Sequence, residues 1–187
     1  MLLVFVIVFC AIVALGFGAA AAWSDFSRLT IPNMYAACIG AAFIPAFLVT
    51  SIFAGDVTFF ASWKSHLLSA VIIFAVTYGL FHFKLIGGGD SKLLSVYALW
   101  VGLQGLMPFM FFMALAGGVL GVTTLALKKW QPIKNPAKDS WIEKAQAGKQ
   151  EVPYGIAIFT GALAAFINAG YFNISSLVEL ASTGMGS

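Results

Sequence analysis

The sequence predicts an all-α membrane protein of six transmembrane helices with both termini outside, and three observations carry that prediction. Of its 187 residues 61% are hydrophobic and 9% charged, with a mean hydropathy of +0.97, more apolar character than a soluble domain of this size needs. The apolar residues gather into long runs separated by polar connections. The Lys and Arg residues crowd into alternate connections, the bias that sets orientation in a membrane. The whole chain reads as one polytopic domain.

Residues 2–23 carry no charge, and at about 1.5 Å per residue such a run spans a hydrocarbon core of roughly 30 Å. No Lys or Arg precedes it and it exceeds the apolar region of a signal peptide, so it reads as helix 1. In the polar connection 24–33, Thr30 is suited to cap helix 2, with Pro32 in its first turn. Helix 2 covers 32–49, with Pro45 at a kink. The loop 50–64 holds Asp56, Lys64 and the interface aromatics Phe59, Phe60 and Trp63. Helix 3, over 65–81, leads to His82 and Lys84. Helix 4, over 91–106, is broken at 104–108. Helix 5, over 109–127, contains Gly117-x-x-x-Gly121, a spacing for close packing. The polar segment 128–151 has lysines at 128, 129, 134, 138, 144 and 149. Within it, Ser140-x-x-Glu143 and Gly148 frame one short surface helix. Helix 6 covers 153–171, and a mildly amphipathic tail follows Asn173.

The connections after helices 1, 3 and 5 hold Arg28, Lys84, Lys92 and those six lysines, whereas the other side holds Lys64 alone. Nine of ten cations on one side assign it to the cytoplasm. Asp25 and Asp90 then share that side, at the ends of helices 1 and 4.

Asp90 stands in Ile86-Gly-Gly-Gly-Asp-Ser-Lys92. An ionisable group at a membrane boundary is costly and either pairs or works. The glycines ahead of it allow a tight turn or the approach of another backbone. Spacing alone leaves two readings open. In one, Asp25 pairs with Arg28, and Asp90 caps a helix beginning at Ser91, with Lys92 nearby and the glycines as loop. In the other, the carboxylates meet, share a proton and divide the work of base and acid on a carbonyl, or carry protons in transport.

Other chemistry finds little support. Cys10 and Cys38 are too few for a disulfide framework or a four-cysteine zinc site. His66 and His82 lie at opposite ends of helix 3, as interface anchors rather than haem ligands. No His-Glu-x-x-His motif and no recognisable Ser or Cys nucleophile occurs, and nothing calls for a cofactor. The lysine-rich segment suits anionic membrane lipid rather than nucleic acid.

Gly87-x-Gly89-Asp90-Ser91-Lys92 resembles the Gly-x-Gly-Asp-x-Lys motif of type IV prepilin peptidases, a family of bacterial membrane aspartic proteases. The first connection, where Asp25 precedes Arg28 and Ile31-Pro32-Asn33, is similar to that family's first-aspartate region. Val152-Pro153-Tyr154-Gly155 resembles the Pro-aromatic-Gly opening of its last helix. Three matches in order, each at a cytoplasmic helix end, are more specific than any one, and they cover nearly the whole chain. The resemblance implies a GxGD-type aspartic protease architecture with Asp25 and Asp90 catalytic. It implies that Gly87, Gly89, Lys92, Arg28, Pro153 and Gly155 shape the site or bind substrate. The substrate would be a prepilin or pseudopilin, cut at the cytoplasmic face of the bacterial inner membrane. Longer relatives carry an N-terminal four-cysteine zinc extension and also N-methylate the product. This sequence shows neither that extension nor its four zinc-site cysteines and resembles the short class associated with tight-adherence (Flp) pili, which puts methyltransferase activity in doubt. Ile156 stands where many relatives have a second proline. The competing readings are a small proton-coupled transporter using the same acids and a non-enzymatic assembly subunit; the latter gives the glycine-flanked acid no role.

Overall fold

The computed structural model describes residues 2–53, 63–149, 151–173 and 175. Among them are six helices and no strand: α1 Leu2–Arg28, α2 Asn33–Phe53, α3 Trp63–His82, α4 Gly88–Trp130, α5 Trp141–Gln146 and α6 Tyr154–Asn168. Four of them, α1 to α4, are long and apolar enough to cross a membrane, and α6 is apolar but shorter. Phe5, Leu67, Val71, Phe111 and Val122 stand exposed on their outer faces, which lipid stabilises and water would not. The expected loop residues Asp56, Phe59 and Phe60 lie outside the described residues, as does most of the tail.

Helix 1 runs further than its apolar stretch. It continues through Asp25 and ends at Arg28, where Leu29 turns left-handed (φ 51°) and its N–H returns to the Asp25 carbonyl at 2.8 Å. Both residues expected in a loop are therefore in the last turn of a helix. Thr30 does not cap α2, which begins at Asn33 after Pro32; its carbonyl instead accepts the Ser24 hydroxyl at 2.8 Å.

The segments expected as helices 4 and 5 form the single 43-residue element α4, and it is interrupted at Gly102 rather than at 104–108. There φ is 62° and ψ −177°, a region open essentially to glycine alone. Pro108 lies beyond, inside the helix. The chain folds back at this point. The rings of Tyr97 and Phe109 are 6.3 Å apart, whereas twelve residues of straight helix would separate them by about 18 Å.

Reversal breaks helical hydrogen bonds, and an apolar interior makes each orphaned group expensive. Two consecutive residues of α3 repair one broken rung. The Leu103 N–H donates to Ser65 Oγ at 3.0 Å, and His66 Nδ1 lies 2.7 Å from the Leu99 carbonyl. Since a carbonyl only accepts, His66 carries its proton on Nδ1 there. The next carbonyl, of Trp100, accepts the Tyr171 hydroxyl at 3.1 Å, and the Trp100 indole donates to Ile39 at 2.9 Å. His66 is thus buried, not the interface anchor expected: the unpaired carbonyl draws it inward. Gly102→Val is expected to lower stability by about 1–3 kcal/mol from backbone strain alone. A Cβ there would also meet His66 Cε1 at 3.1 Å and Ser65 Oγ at 3.3 Å. Thermal unfolding in detergent measures the loss.

The core lies around the first half of α4. Tyr97, Trp100, Phe109, Phe166 and Tyr171 are fully buried, and α4 packs mainly on α6 and α3, with α1 joining α2 and α6. Of the Gly117/Gly121 pair, Gly117 faces Tyr154 and Ala157 while Gly121 meets nothing close among the described residues, so the spacing makes no seam between them. The short surface helix forms as expected. Ser140 Oγ accepts the Glu143 N–H at 3.3 Å, and Gly148 has φ 88°. Glu143 reaches back to the Asp139 N–H at 2.6 Å. Buried Trp141 anchors the helix, donating to Thr124 Oγ1 at 3.2 Å with its ring edge-on to Phe26 at 5.7 Å. The lysine-rich segment is thereby fixed beside the end of α1 that bears Asp25.

Candidate active site

Asp25 reaches its place because α1 outlasts its apolar run by one turn. It is 6% exposed, and its Oδ2 accepts the Gly155 N–H at 2.7 Å. That N–H belongs to the first turn of α6, where the helix has spare donors and a positive dipole end. Buried Pro153 is the N-cap that starts α6. Contact is close enough to require glycine: a Cβ on Gly155 would fall 2.9 Å from Asp25 Cβ and 3.0 Å from Oδ2. Arg28 is exposed, and the ion pair found among the described residues is Lys144–Glu151 at 3.4 Å, not Asp25–Arg28.

Asp90 sits in the first turn of α4. The expected loop glycines Gly88 and Gly89 are helical, and Gly87 is the N-cap, so the helix begins three residues before Ser91. Asp90 is its third residue, and its Oδ2 accepts the Gly87 N–H at 3.2 Å. The turn is glycine because the first connection runs against it: a Cβ on Gly89 would lie 2.9 Å from Ile31 Cβ and 3.2 Å from the Ile31 carbonyl oxygen. Ser91 and Thr77 share a hydrogen bond at 2.8 Å, fastening this turn to α3. Lys92 turns to Asn33, its Nζ donating to Oδ1 at 2.8 Å.

Both acids line one open pocket of about 710 Å³. Gly87 lines it with them. Leu29, Phe81, Leu85 and Ile86 provide apolar wall, Tyr154 comes from the start of α6, and His82, Lys84 and Glu151 add polar groups. A pocket lined by two carboxyl groups has the proton donors and acceptors that general acid–base chemistry uses. Among the described residues no three His, Cys, Asp or Glu side chains group as metal ligands. Of the residues singled out in the sequence, Asp25, Asp90 and Gly87 meet at the pocket. Gly89, Pro153 and Gly155 support it from behind, while Lys92 and Arg28 do not line it. Leu29, Phe81, Leu85 and Tyr154 were not foreseen as its walls; the available signal was the place of Tyr154 inside the Pro-aromatic-Gly motif and of the others near the motifs.

The sequence model of the type IV leader peptidase family matches residues 12–122. That is well over half of the chain and includes both acids. The chain belongs to the type IV leader peptidase family. Searches of curated proteins and of solved structures yield no match. As a leader peptidase by family it acts on prepilin-type substrates, and its long apolar helices make it a membrane protein. The opening of α6, with Pro153 and Gly155, lies beyond the matched residues and enters the site through its contact with Asp25.

Proposed function

We propose that this leader peptidase is an aspartic endopeptidase that removes the leader of a prepilin or pseudopilin at the cytoplasmic face of a bacterial inner membrane. The observation that carries the reading is the meeting of Asp25 and Asp90, 65 residues apart in sequence, at one pocket, each held by a backbone N–H. One carboxylate, deprotonated, takes a proton from water as that water attacks the scissile carbonyl. The other, protonated, hydrogen-bonds the carbonyl oxygen, and a proton passes to the amine as the C–N bond breaks. The two titrate as a unit, so neither role is tied to one residue. Gly87 and Gly89 shape the turn that presents Asp90, and Gly155, in the first turn of the helix that Pro153 caps, holds Asp25.

The same reading gives the chain six spans, because the reversal at Gly102 lets α4 count twice beside α1, α2, α3 and α6. Both termini are then outside, and the lysine-rich segment is cytoplasmic, against anionic lipid. Packing of Trp141 on Phe26 supports this by placing that segment at the Asp25 end of α1. A reporter fused near Lys138 is expected to read cytoplasmic; a periplasmic signal would overturn the six-span topology. The Flp-associated class belongs to this reading too.

The direct experiment gives the purified protein, in a bilayer, a prepilin peptide and a methyl donor. Cleavage of the leader is expected, and the methyl donor reads methyl transfer in the same sample. Proton flux without cleavage would instead select the transporter, which family membership does not favour.

A further inference from the structure

We propose that Asn33 and Lys92 are positioning residues: their hydrogen bond fixes the separation of Asp25 and Asp90 by bolting the first connection of the chain to the first turn of α4. The inference rests on the peptidase reading and assigns Lys92 no contact with substrate.

The bond spans 59 residues, from Lys92 Nζ to Asn33 Oδ1 at 2.8 Å. Lys92 lies two residues after Asp90 yet is not among the residues lining the pocket, so its ammonium points to the connection and not to the acids. Asn33 is the first residue of α2, and the connection before it is tied directly to the other acid. The Leu29 N–H returns to the Asp25 carbonyl, and Ser24, beside Asp25, holds the Thr30 carbonyl. Between these ties Ile31 rests on Gly89. A continuous series of contacts therefore runs from Asp25 through residues 29–33 to Gly89, Lys92 and Asp90.

The glycines explain why a bolt is needed. Gly89 lets Ile31 approach, and the run of three glycines leaves this turn backbone freedom that no side chain of its own restrains. Ile31 against Gly89 limits approach and does not prevent the two from drifting apart. The Lys92–Asn33 bond supplies the missing pull. Both side chains are exposed, where such a bond adds little to global stability. Its effect falls on geometry, and misplacement of reacting groups by about 1 Å costs on the order of a hundredfold in rate. An amide as the acceptor also avoids a third carboxylate beside the catalytic two.

The test measures kcat and KM on a prepilin peptide for the full-length protein in bilayers, with insertion and melting temperature followed in parallel. Asn33→Leu and Lys92→Met are each expected to lower kcat about tenfold or more with KM within about twofold of wild type, and the double variant to be no worse than either single. Asn33→Gln, which keeps the amide but displaces it by one methylene, is the milder variant and is expected to lower kcat by less. A raised KM with intact kcat in Lys92→Met would make Lys92 a substrate contact and overturn the proposal. So would wild-type kcat in Asn33→Leu, or losses that multiply in the double variant. Failure of the wild-type protein to cleave would instead remove the peptidase reading, so the two failures are distinct.

Discussion

Asparagine in place of Asp25 or of Asp90 is expected to reduce prepilin cleavage by about two to four orders of magnitude, the range supplied by a positioned acid or base. The substitution is almost isosteric. An amide oxygen at position 25 can still accept the Gly155 N–H, and one at position 90 can still accept from Gly87. Both variants should therefore insert and melt like the parent, so that the loss falls on chemistry. Neither amide can exchange a proton with water or substrate. Asp56→Asn, on the connection assigned to the opposite side, is the control and should keep activity. Peptide cleavage in proteoliposomes, quantified by mass spectrometry, reads all three. Near-normal cleavage by Asp25→Asn would return Asp25 to a boundary charge.

Gly155→Ala is expected to have the next largest effect, on the order of a hundredfold in kcat. The added Cβ would lie 2.9 Å from Asp25 Cβ and 3.0 Å from Oδ2. The Cβ of Asp25 is fixed to its helix backbone and cannot swing aside, so α1 and α6 must separate or the carboxylate must rotate. Either change lengthens the 2.7 Å bond from the Gly155 N–H. Binding should suffer less than turnover, because the apolar wall of Phe81, Leu85 and Ile86 takes no part in this contact. A kcat within twofold of wild type would show that the opening of α6 does not position Asp25. Gly89→Val should also cost activity with both acids intact, by pressing on Ile31.

The apolar runs and their order were legible in the sequence, as were the two acids, because charges in such a composition stand out. What was not legible follows from contacts between distant residues. Asp25 reads as loop because Ser-Asp-Phe-Ser-Arg is polar; it is helical because Phe26 meets Trp141 and Asp25 meets Gly155. Gly88 and Gly89 read as loop by propensity, yet α4 starts on them: a bare backbone at Gly89 admits Ile31, and Gly88 faces the Phe81 ring. Gly102 is one glycine among 19, and neither neighbour announces that the helix reverses there. His66 reads as an interface residue until the Leu99 carbonyl that it serves is seen. The Asn33–Lys92 bond joins two motifs that the sequence treats as separate.

The most direct measurement of the central claim is the residual single-turnover rate of wild type, Asp25→Asn, Asp90→Asn and the double variant on one prepilin peptide under one set of conditions. Residues that act as a unit are strongly non-additive. If the two carboxylates work as a pair at one pocket, either single substitution removes nearly all of the rate and the double is hardly slower than the worse single. A double variant whose loss is the product of the two single losses would mean that the acids act separately, and would contradict the account.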